Sequence, residues 1–152
     1  MKLELAEKMV NEKIAEYGLT GYYFQWSNTK NVFGDHNSFF KRIRLSKPLT
    51  LINDEDKVKL TVLHEIAHAL TPGQNHNETW KAKCIEIGGD GKRCKTDANF
   101  IEPKYGVKCN NCKKIVKKGF RQTSLAGKYH SQCGNLYGGS LQWVELYLKV
   151  GV

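Results

Sequence analysis

Two histidines and a glutamate stand close together in the stretch TVLHEIAHAL, residues 61–70. An α-helix turns by about 100° per residue, so His64 and His68 lie one turn apart on the same face and can converge on one metal ion. Glu65 is offset from both and is better placed to reach a metal-bound water than to be a ligand. This H-E-x-x-H pattern predicts a catalytic zinc site with Glu65 as general acid and base. Two core histidines satisfied by hydrogen bonds are the structural alternative, at a large desolvation cost.

A catalytic zinc site needs a third protein ligand besides a water. His76 is the favoured candidate because Pro72–Gly73 predicts a chain reversal between it and His68. Glu78 and Glu86 compete with it, and Glu86 lies on the next predicted helix, where another class of zinc protease places a glutamate ligand. The choice among the three stays open at this point.

Peptide-bond hydrolysis is the chemistry that this set of residues predicts. Zinc would polarise the peptide carbonyl and lower the pKa of its bound water toward about 7. Glu65 would accept the proton and pass it to the leaving amine. A further donor to the developing oxyanion is expected, and Tyr22 and Tyr23 are named only as guesses.

The helix that carries the motif has recognisable ends. Asn53 or Asp54 can cap its start, acidic residues follow in the first turn, and Pro72–Gly73 ends it. Asn77 can cap a further helix, which is predicted to stop at Gly88–Gly89.

The segments upstream predict one helix and three short strands. They are an amphipathic helix over Leu3–Tyr17, a strand in GYYFQWSNT (21–29), a short strand in NVFGD (31–35) with Gly34 and Asp35 as a turn, and a strand over Ile43–Leu45 that stops near Pro48. Residues 89–103 are polar and irregular and are interpreted as a linker.

A second group of metal-ligand residues follows the pattern C-x2-C-x17-H-x2-C. It consists of Cys109, Cys112, His130 and Cys133. Two short ligand pairs at this separation are typical of a closed, tetrahedral structural zinc site. Free cysteines beside a chance histidine are the less favoured interpretation. The segment is too small for a proper core, so metal would supply much of its folding energy.

The positive charge of the chain is one-sided. Residues 1–80 carry 10 Lys/Arg and 10 Asp/Glu, whereas residues 81–152 carry 14 Lys/Arg and 5 Asp/Glu. The basic residues between the two ligand pairs are the predicted nucleic-acid contacts: Lys113, Lys114, Lys117, Lys118, Arg121 and Lys128. They favour DNA bound without sequence preference, single-stranded or duplex. Phe120 can either stack on a base or form part of a minimal core. Lysines that only solvate a surface are the alternative.

The remaining features of the sequence predict where in the cell the protein is located. The five cysteines are an odd number, the N-terminus lacks the apolar stretch of a signal peptide, and no apolar run has the roughly 18 residues of a membrane span. We therefore predict an intracellular protein, cytoplasmic or at the nucleoid or nucleus, neither secreted nor in a membrane. Cys84 is expected in the core, and Cys94 has no assigned role.

At the level of the whole chain, the residues resemble the SprT-like (Spartan-type) family of zinc metalloproteases. The resemblance rests on the order of LHEIAHAL, HNETWKAKCIEIGGDGKRC and the CxxC…HxxC segment, and on the upstream IRLSKPL. It implies an α+β, zincin-like domain of helices on a small sheet over residues 1–100, followed by a basic zinc ribbon over 101–152. It also implies that His64, His68 and His76 bind zinc and that Glu65 is catalytic.

Three functions are consistent with these predictions. The leading hypothesis is a zinc metalloendopeptidase that acts on DNA-associated proteins, including DNA–protein crosslinks as Spartan-type relatives do, with one catalytic and one structural zinc ion. A non-proteolytic nucleic-acid-binding protein is the second, although a scaffold has no use for Glu65. The third is a general peptidase that is independent of DNA.

Overall fold

The computed structural model describes residues 1–93, 97–134 and 139–146, so Cys94 lies outside the described residues. The chain divides into two compact units, Met1–Ile101 and Glu102–Val152, here called the N-terminal and C-terminal units. The boundary predicted between residues 100 and 101 differs from this division by one residue. Among the described residues, no helix is both long enough and apolar enough to span a membrane.

The N-terminal unit combines four helices with one small sheet in its described part. Its elements are α1 (Leu3–Glu16), β1 (Tyr23–Ser27), β2 (Gly34–Asn37), β3 (Arg42–Ser46), α2 (Lys47–Ile52), α3 (Glu55–Leu70) and α4 (Glu78–Glu86). β3 is the central strand, parallel to β1 and antiparallel to β2. β2 is therefore a sheet edge, and α3, which carries the H-E-x-x-H motif, packs against it.

The core of this unit lies between α1, α3 and the sheet. β3 alternates as predicted, with Ile43 and Leu45 fully buried, while Arg44 on the other face pairs with Asp35 of β2 at 2.9 Å. The helices contribute small and β-branched residues to the same core: Ala6, Val10, Val58, Val62 and Ile66. This packing holds α3 firmly, so side chains on its exposed face are presented from a rigid element.

One prediction upstream of the motif is wrong: Gly34 and Asp35 lie within β2 rather than in a turn, because they pair with Leu45 and Arg44 of β3. β3 ends at Ser46, close to Pro48 as predicted. Pro48 stands in the first turn of α2, a helix that was not predicted, where the N–H that proline lacks would have no helical partner. The Ser46 side chain caps that helix by accepting a hydrogen bond from the Leu49 backbone N–H.

The described end of the predicted linker is attached to the N-terminal unit. The Asn99 backbone N–H donates to the side-chain oxygen of Asn53 at 2.8 Å, and the Asn53 side-chain amide donates to the Asn99 carbonyl at 2.9 Å. Ala98 and Ile101 pack against the core. This end of the segment is therefore packed and hydrogen-bonded on the N-terminal unit rather than a free tether.

The C-terminal unit contains a three-stranded antiparallel sheet with β4 at its centre. Its strands are β4 (Tyr105–Cys109), β5 (Ile115–Gly119) and β6 (Leu141–Glu145). Val107 and Cys109 are the buried hydrophobic residues among those described here. So small a core cannot by itself stabilise a fold of this size, in agreement with the need for metal that the sequence predicts.

Candidate metal centre

The three predicted histidines lie together in the structure. His64 and His68 project from the same face of α3, and the Nε2 atom of His76 is 3.0 Å from the Nε2 atom of each. One nitrogen from each ring lies within 4.8 Å of the other two. Glu78 and Glu86 are not part of this cluster; both are exposed, and the Glu86 carboxylate pairs with Lys83 at 2.7 Å.

The loop after α3 brings His76 back toward the helix. Thr71 ends α3 by donating its hydroxyl to the Ala67 carbonyl at 2.7 Å, and Gly73 adopts a positive φ of 79°. His76 itself has a φ of 52°, which is uncommon outside glycine. Asn77 then starts α4 by accepting a hydrogen bond from the Trp80 N–H. The chain thus holds His76 in an unfavourable conformation, which is a typical feature of functional positions.

Trp80 forms the wall behind the histidine cluster. Its ring centroid lies 4.7 Å from that of His64, 5.1 Å from that of His68 and 4.5 Å from that of His76. The side chain is fully buried, and its Nε1 has no hydrogen-bond partner among the described residues. Trp80 therefore fixes the ring positions and keeps water away from that side. This role could not be predicted from the sequence, because a tryptophan in a helix ordinarily indicates core packing.

Glu65 lies beside the cluster and is only 6% exposed. Its side chain packs on Gly34 of β2, where a Cβ atom would come within 3.0 Å of Glu65 Oε1. A cavity of about 130 Å³ opens here, and Arg93 forms part of its wall together with His64 and Glu65. Burial lowers the pKa of His76, and the positive charge of Arg93 lowers it further. In the sequence, Arg93 is one residue of a lysine–arginine pair in a polar segment, and that pattern does not predict a place beside the histidines.

A second pair of side chains stands on the other side of His68. The Tyr22 hydroxyl and His36 Nε2 are 3.0 Å apart, and the His36 ring is stacked on that of His68 with 6.2 Å between centroids. Burial raises the pKa of Tyr22 and lowers that of His36. Tyr22 is one of the two guesses for an oxyanion donor, and it contacts His36, which in turn stacks on His68. Tyr23, the other guess, is exposed in β1. His36 was missed because a lone histidine in a polar stretch has no distinctive pattern.

Burial keeps His68 and His76 in the form that binds metal. Desolvation, followed by the neighbouring His76 and His36, lowers the pKa of His68 to about 4. The His76 pKa is lowered as well. Both imidazoles are therefore neutral near pH 7, and a neutral imidazole nitrogen is the ligand that zinc requires.

The donor set fits zinc. Zinc–nitrogen bonds of about 2.0–2.1 Å in a tetrahedral arrangement place ligand nitrogens roughly 3.3 Å apart. The two Nε2–Nε2 distances of 3.0 Å are close to this value. Three histidines leave a fourth position for water or substrate, which is the arrangement of a catalytic site.

The second cluster is also assembled. One ligand atom from each of Cys109, Cys112, His130 and Cys133 lies within 4.8 Å of the others. His130 Nδ1 is 3.4 Å from Cys112 Sγ and 3.3 Å from Cys133 Sγ. Desolvation raises the pKa of the Cys109 thiol, but the backbone N–H groups of Cys112 and Asn111, together with the Cys112 and His130 side chains, outweigh it and leave that pKa at about 6. A thiol with this pKa is largely the thiolate that binds zinc.

Turns shape both ligand pairs of this cluster. The Cys109 N–H donates to the Lys114 carbonyl, and the Lys113 N–H donates back to the Cys109 carbonyl, with Lys113 at a φ of 63°. The His130 carbonyl accepts from the Cys133 N–H at 2.9 Å. Each pair is thereby held as a compact knuckle that turns its side chains toward the other pair.

The six predicted nucleic-acid contacts are all exposed in the C-terminal unit. Lys118 forms an ion pair with Glu102, with 3.8 Å between Nζ and Oε2. A cavity of about 460 Å³ opens in the same unit, and Lys117, Lys128 and Tyr129 contribute to its lining beside apolar residues. The surface thus combines cations with an aromatic ring.

Cys84 is buried in a small cluster with Ala67 and Trp80. The expectation that it belongs to the core is confirmed. A Cβ atom at Gly89 would clash with its sulfur at 2.5 Å, so the chain passes close over this side chain.

A mixed α+β fold with small sheets, in which two histidines of α3 and one from the following loop converge, is typical of the metallopeptidase-like class. Residues 2–99 match the model of the SprT-like family, and the chain belongs to that family. The resemblance predicted from the motifs is therefore confirmed. The fold class is confirmed as mixed α+β, while the zinc ribbon remains a prediction.

Two solved structures are similar to this chain. The metallopeptidase zymogen jannalysin of Methanocaldococcus jannaschii aligns with a TM-score of 0.50 and 19% identity, over 56% of this chain and 83% of that one. The metallopeptidase zymogen abylysin of Pyrococcus abyssi aligns with a TM-score of 0.45 and 17% identity, over 54% of this chain and 78% of that one. No curated protein matches this chain in sequence. At such identities the likeness to jannalysin concerns the fold alone.

Proposed function

We propose that the N-terminal unit is a zinc-dependent endopeptidase. His64, His68 and His76 hold the ion, and Glu65 is the general acid and base. The observation that carries the proposal is the convergence of three Nε2 atoms beside a carboxylate that is 6% exposed. A buried carboxylate next to three histidines has a large desolvation cost, which a shared catalytic task explains.

Bound zinc would supply a Lewis acid that polarises the scissile carbonyl and activates water. Glu65 takes the proton from the attacking water and delivers it to the leaving amine. Gly34 leaves room for that carboxylate. Trp80 shields the rear of the histidines, and His36, whose Nε2 lies 3.0 Å from the Tyr22 hydroxyl, lines the cleft over them.

The C-terminal unit would hold a second, structural zinc ion through Cys109, Cys112, His130 and Cys133. Four protein ligands close the coordination shell, which excludes a catalytic water. Support comes from the closeness of the four donor atoms and from the small core around them.

The substrate class proposed is protein that is bound or crosslinked to DNA inside the cell. Its support is the excess of positive charge in residues 81–152 and the exposure of the six basic side chains. These contacts are to phosphates, which carry no sequence information, so binding would be insensitive to sequence. The cavity with Lys117, Lys128 and Tyr129 favours single strands, since unstacked bases can lie on an aromatic ring.

A cleavage assay tests the peptidase. Zinc-loaded protein is incubated with a basic DNA-binding protein, with and without single-stranded DNA, beside a Glu65→Gln variant with the same zinc content. Cleavage that requires both DNA and Glu65 is the expected result. Cleavage that needs Glu65 but ignores DNA would identify a general peptidase. No cleavage in any lane, with zinc bound, would contradict the endopeptidase proposal for this substrate class and favour a binding protein.

Salt dependence tests the DNA contacts separately. If six phosphates are neutralised, the log–log slope of affinity against salt is about −5 for duplex and about −4 for single strands. Lys117→Glu should make the slope shallower. Lys104→Glu is the matched control, because Lys104 lies outside the six and already pairs with Glu145 at 3.5 Å. A flat salt response of the unaltered protein would exclude DNA binding through this surface.

A further inference from the structure

The turn between β2 and β3 presents an aromatic ring beside the metal centre. Phe39, at the tip of this turn, is 86% exposed. The turn is well ordered: the Phe40 N–H donates to the side-chain oxygen of Asn37 at 2.9 Å, and the Lys41 N–H donates to the Ser38 carbonyl at 3.3 Å. A phenylalanine held so far into solvent by an ordered loop is a typical contact residue.

The neighbouring Phe40 is held differently. Its ring meets that of Phe39 edge-to-face at 5.0 Å, and the Arg42 guanidinium lies over it at 5.8 Å. The guanidinium contact is what distinguishes Phe40 from Phe39. It does not line the cavity described next, which makes it a matched control for Phe39.

A cavity of about 370 Å³ separates this turn from the loop that follows α3. Phe39 forms one wall and the loop residues Thr71, Gln74 and Asn75 form another. His36 and His68 line both this cavity and the cleft over the three histidines. A peptide whose carbonyl lies at the metal centre would therefore place a neighbouring side chain here. The volume is at the lower end of about 300–1,000 Å³ for ligand pockets and suits one side chain with its backbone.

The lining determines which side chain fits. Apart from the two histidines, the wall residues are aromatic, amide, hydroxyl or glycine, and none carries a charge. A charged side chain would lose its hydration here without an opposite charge to replace it. An aromatic side chain would instead pack against Phe39 in the edge-to-face or offset geometry that such rings prefer.

We propose that this cavity is a substrate subsite that selects an uncharged side chain, aromatic above all, next to the bond to be cleaved. The inference rests on the proposed peptidase function, because the metal centre positions the peptide. It names Phe39 as the residue that determines specificity.

The test uses amino-acid hydroxamates, which chelate zinc and so fix where their side chain lies. Hydroxamates of phenylalanine, alanine and aspartic acid are titrated into zinc-loaded Glu65→Gln protein by calorimetry, and binding is read without turnover. The phenylalanine compound should bind best. Phe39→Ala should reduce that preference roughly threefold to tenfold, the range expected for loss of one aromatic pair. Phe40→Ala should retain it, and zinc content should stay unchanged throughout.

The other outcomes are distinct from one another. Equal affinity for the three hydroxamates would overturn the subsite and leave the metal centre standing. Binding of none of them would refute the proposed metal centre and this inference together. If Phe39→Ala instead weakens single-stranded DNA binding and leaves hydroxamate affinities unchanged, the turn is a nucleic-acid contact and the subsite is wrong.

Discussion

Gly34 and Glu65 are in such close contact that a Cβ atom at Gly34 would lie 3.0 Å from both Cγ and Oε1 of the glutamate. Gly34 belongs to the edge strand β2, and Glu65 belongs to the helix that carries the zinc motif. The absence of a side chain on one element therefore determines where the carboxylate of the other can lie. This contact connects the sheet with the glutamate proposed as general acid and base.

We expect Gly34→Ala to impair catalysis far more than folding. The added methyl group must displace the Glu65 carboxylate or Thr61 Cγ2, which would lie 2.8 Å from it. A misplacement of about 1 Å in a catalytic group costs on the order of 100-fold in rate, and we expect kcat to fall by about that factor. Peptide turnover and a thermal melt of the same sample measure the two effects.

The double variant Gly34→Ala/Thr61→Ser separates the two clashes. Serine lacks Cγ2 but retains the hydroxyl that bonds to the Lys57 carbonyl at 2.9 Å. Recovery of kcat in the double variant would show that Thr61, not Glu65, is the group disturbed.

Zinc binding should change the fluorescence of Trp80. The ring touches all three histidines, so metal ligation alters its surroundings directly. Titrating zinc into metal-free protein should give a saturable change that is smaller in Trp80→Phe. The chain has three tryptophans. Trp26 is the reference in the N-terminal unit, whereas Trp143 lies in β6 of the unit that the second zinc ion is expected to stabilise and should account for the change that remains. An equal change in both proteins would count against this assignment.

The stability of the metal-free protein should depend on pH through His68. Its pKa is about 4 in the folded state, below its usual 6.5, so the folded protein binds fewer protons than the unfolded chain between these values. The free energy of unfolding should therefore fall as the pH is lowered from about 6.5 to about 4, with no further contribution from His68 below that. Denaturant unfolding at several pH values measures the slope.

A His68→Gln variant provides the control for this slope. Its free energy of unfolding should vary less steeply over the same range. Part of the slope should remain, because the pKa values of His36 and His76 are lowered too. Identical slopes in the two proteins would mean that His68 is not shifted.

Cys109→Ser should remove one zinc ion and unfold the C-terminal unit. Cys109 and Val107 are the buried hydrophobic residues described there, so the unit depends on its ligands more than on packing. The measured zinc content should fall from two ions per chain to one. Limited proteolysis should cleave the chain within residues 102–146 and leave the N-terminal unit intact. Cys84→Ala is the matched control, since Cys84 lies in the other unit, and it should retain both ions.

Much of the site could be predicted because its pattern is local. Residues four apart share a face of a helix whatever the helix packs against, so His64 and His68 were identifiable as a pair. The same holds for the two short pairs of the second cluster, whose spacing within a turn predicts a knuckle. The positions of α3 and α4 followed from caps and breakers such as Asp54, Pro72 and Asn77, and the structure confirms both helices.

Other features depended on contacts between segments far apart in the chain. The choice of His76 over Glu86 rests on the path of a loop, and the neighbours Trp80, His36 and Arg93 reach the site only through the packing of α4, β2 and the segment after α4. β2 was misplaced because four residues of mixed polarity carry almost no periodic signal, and its register comes from hydrogen bonding to β3. The sequence alone therefore determined the kind of chemistry, through ligand spacing within single helices and turns. The tertiary structure decided which side chains surround that chemistry, since no local rule governs which distant segments meet.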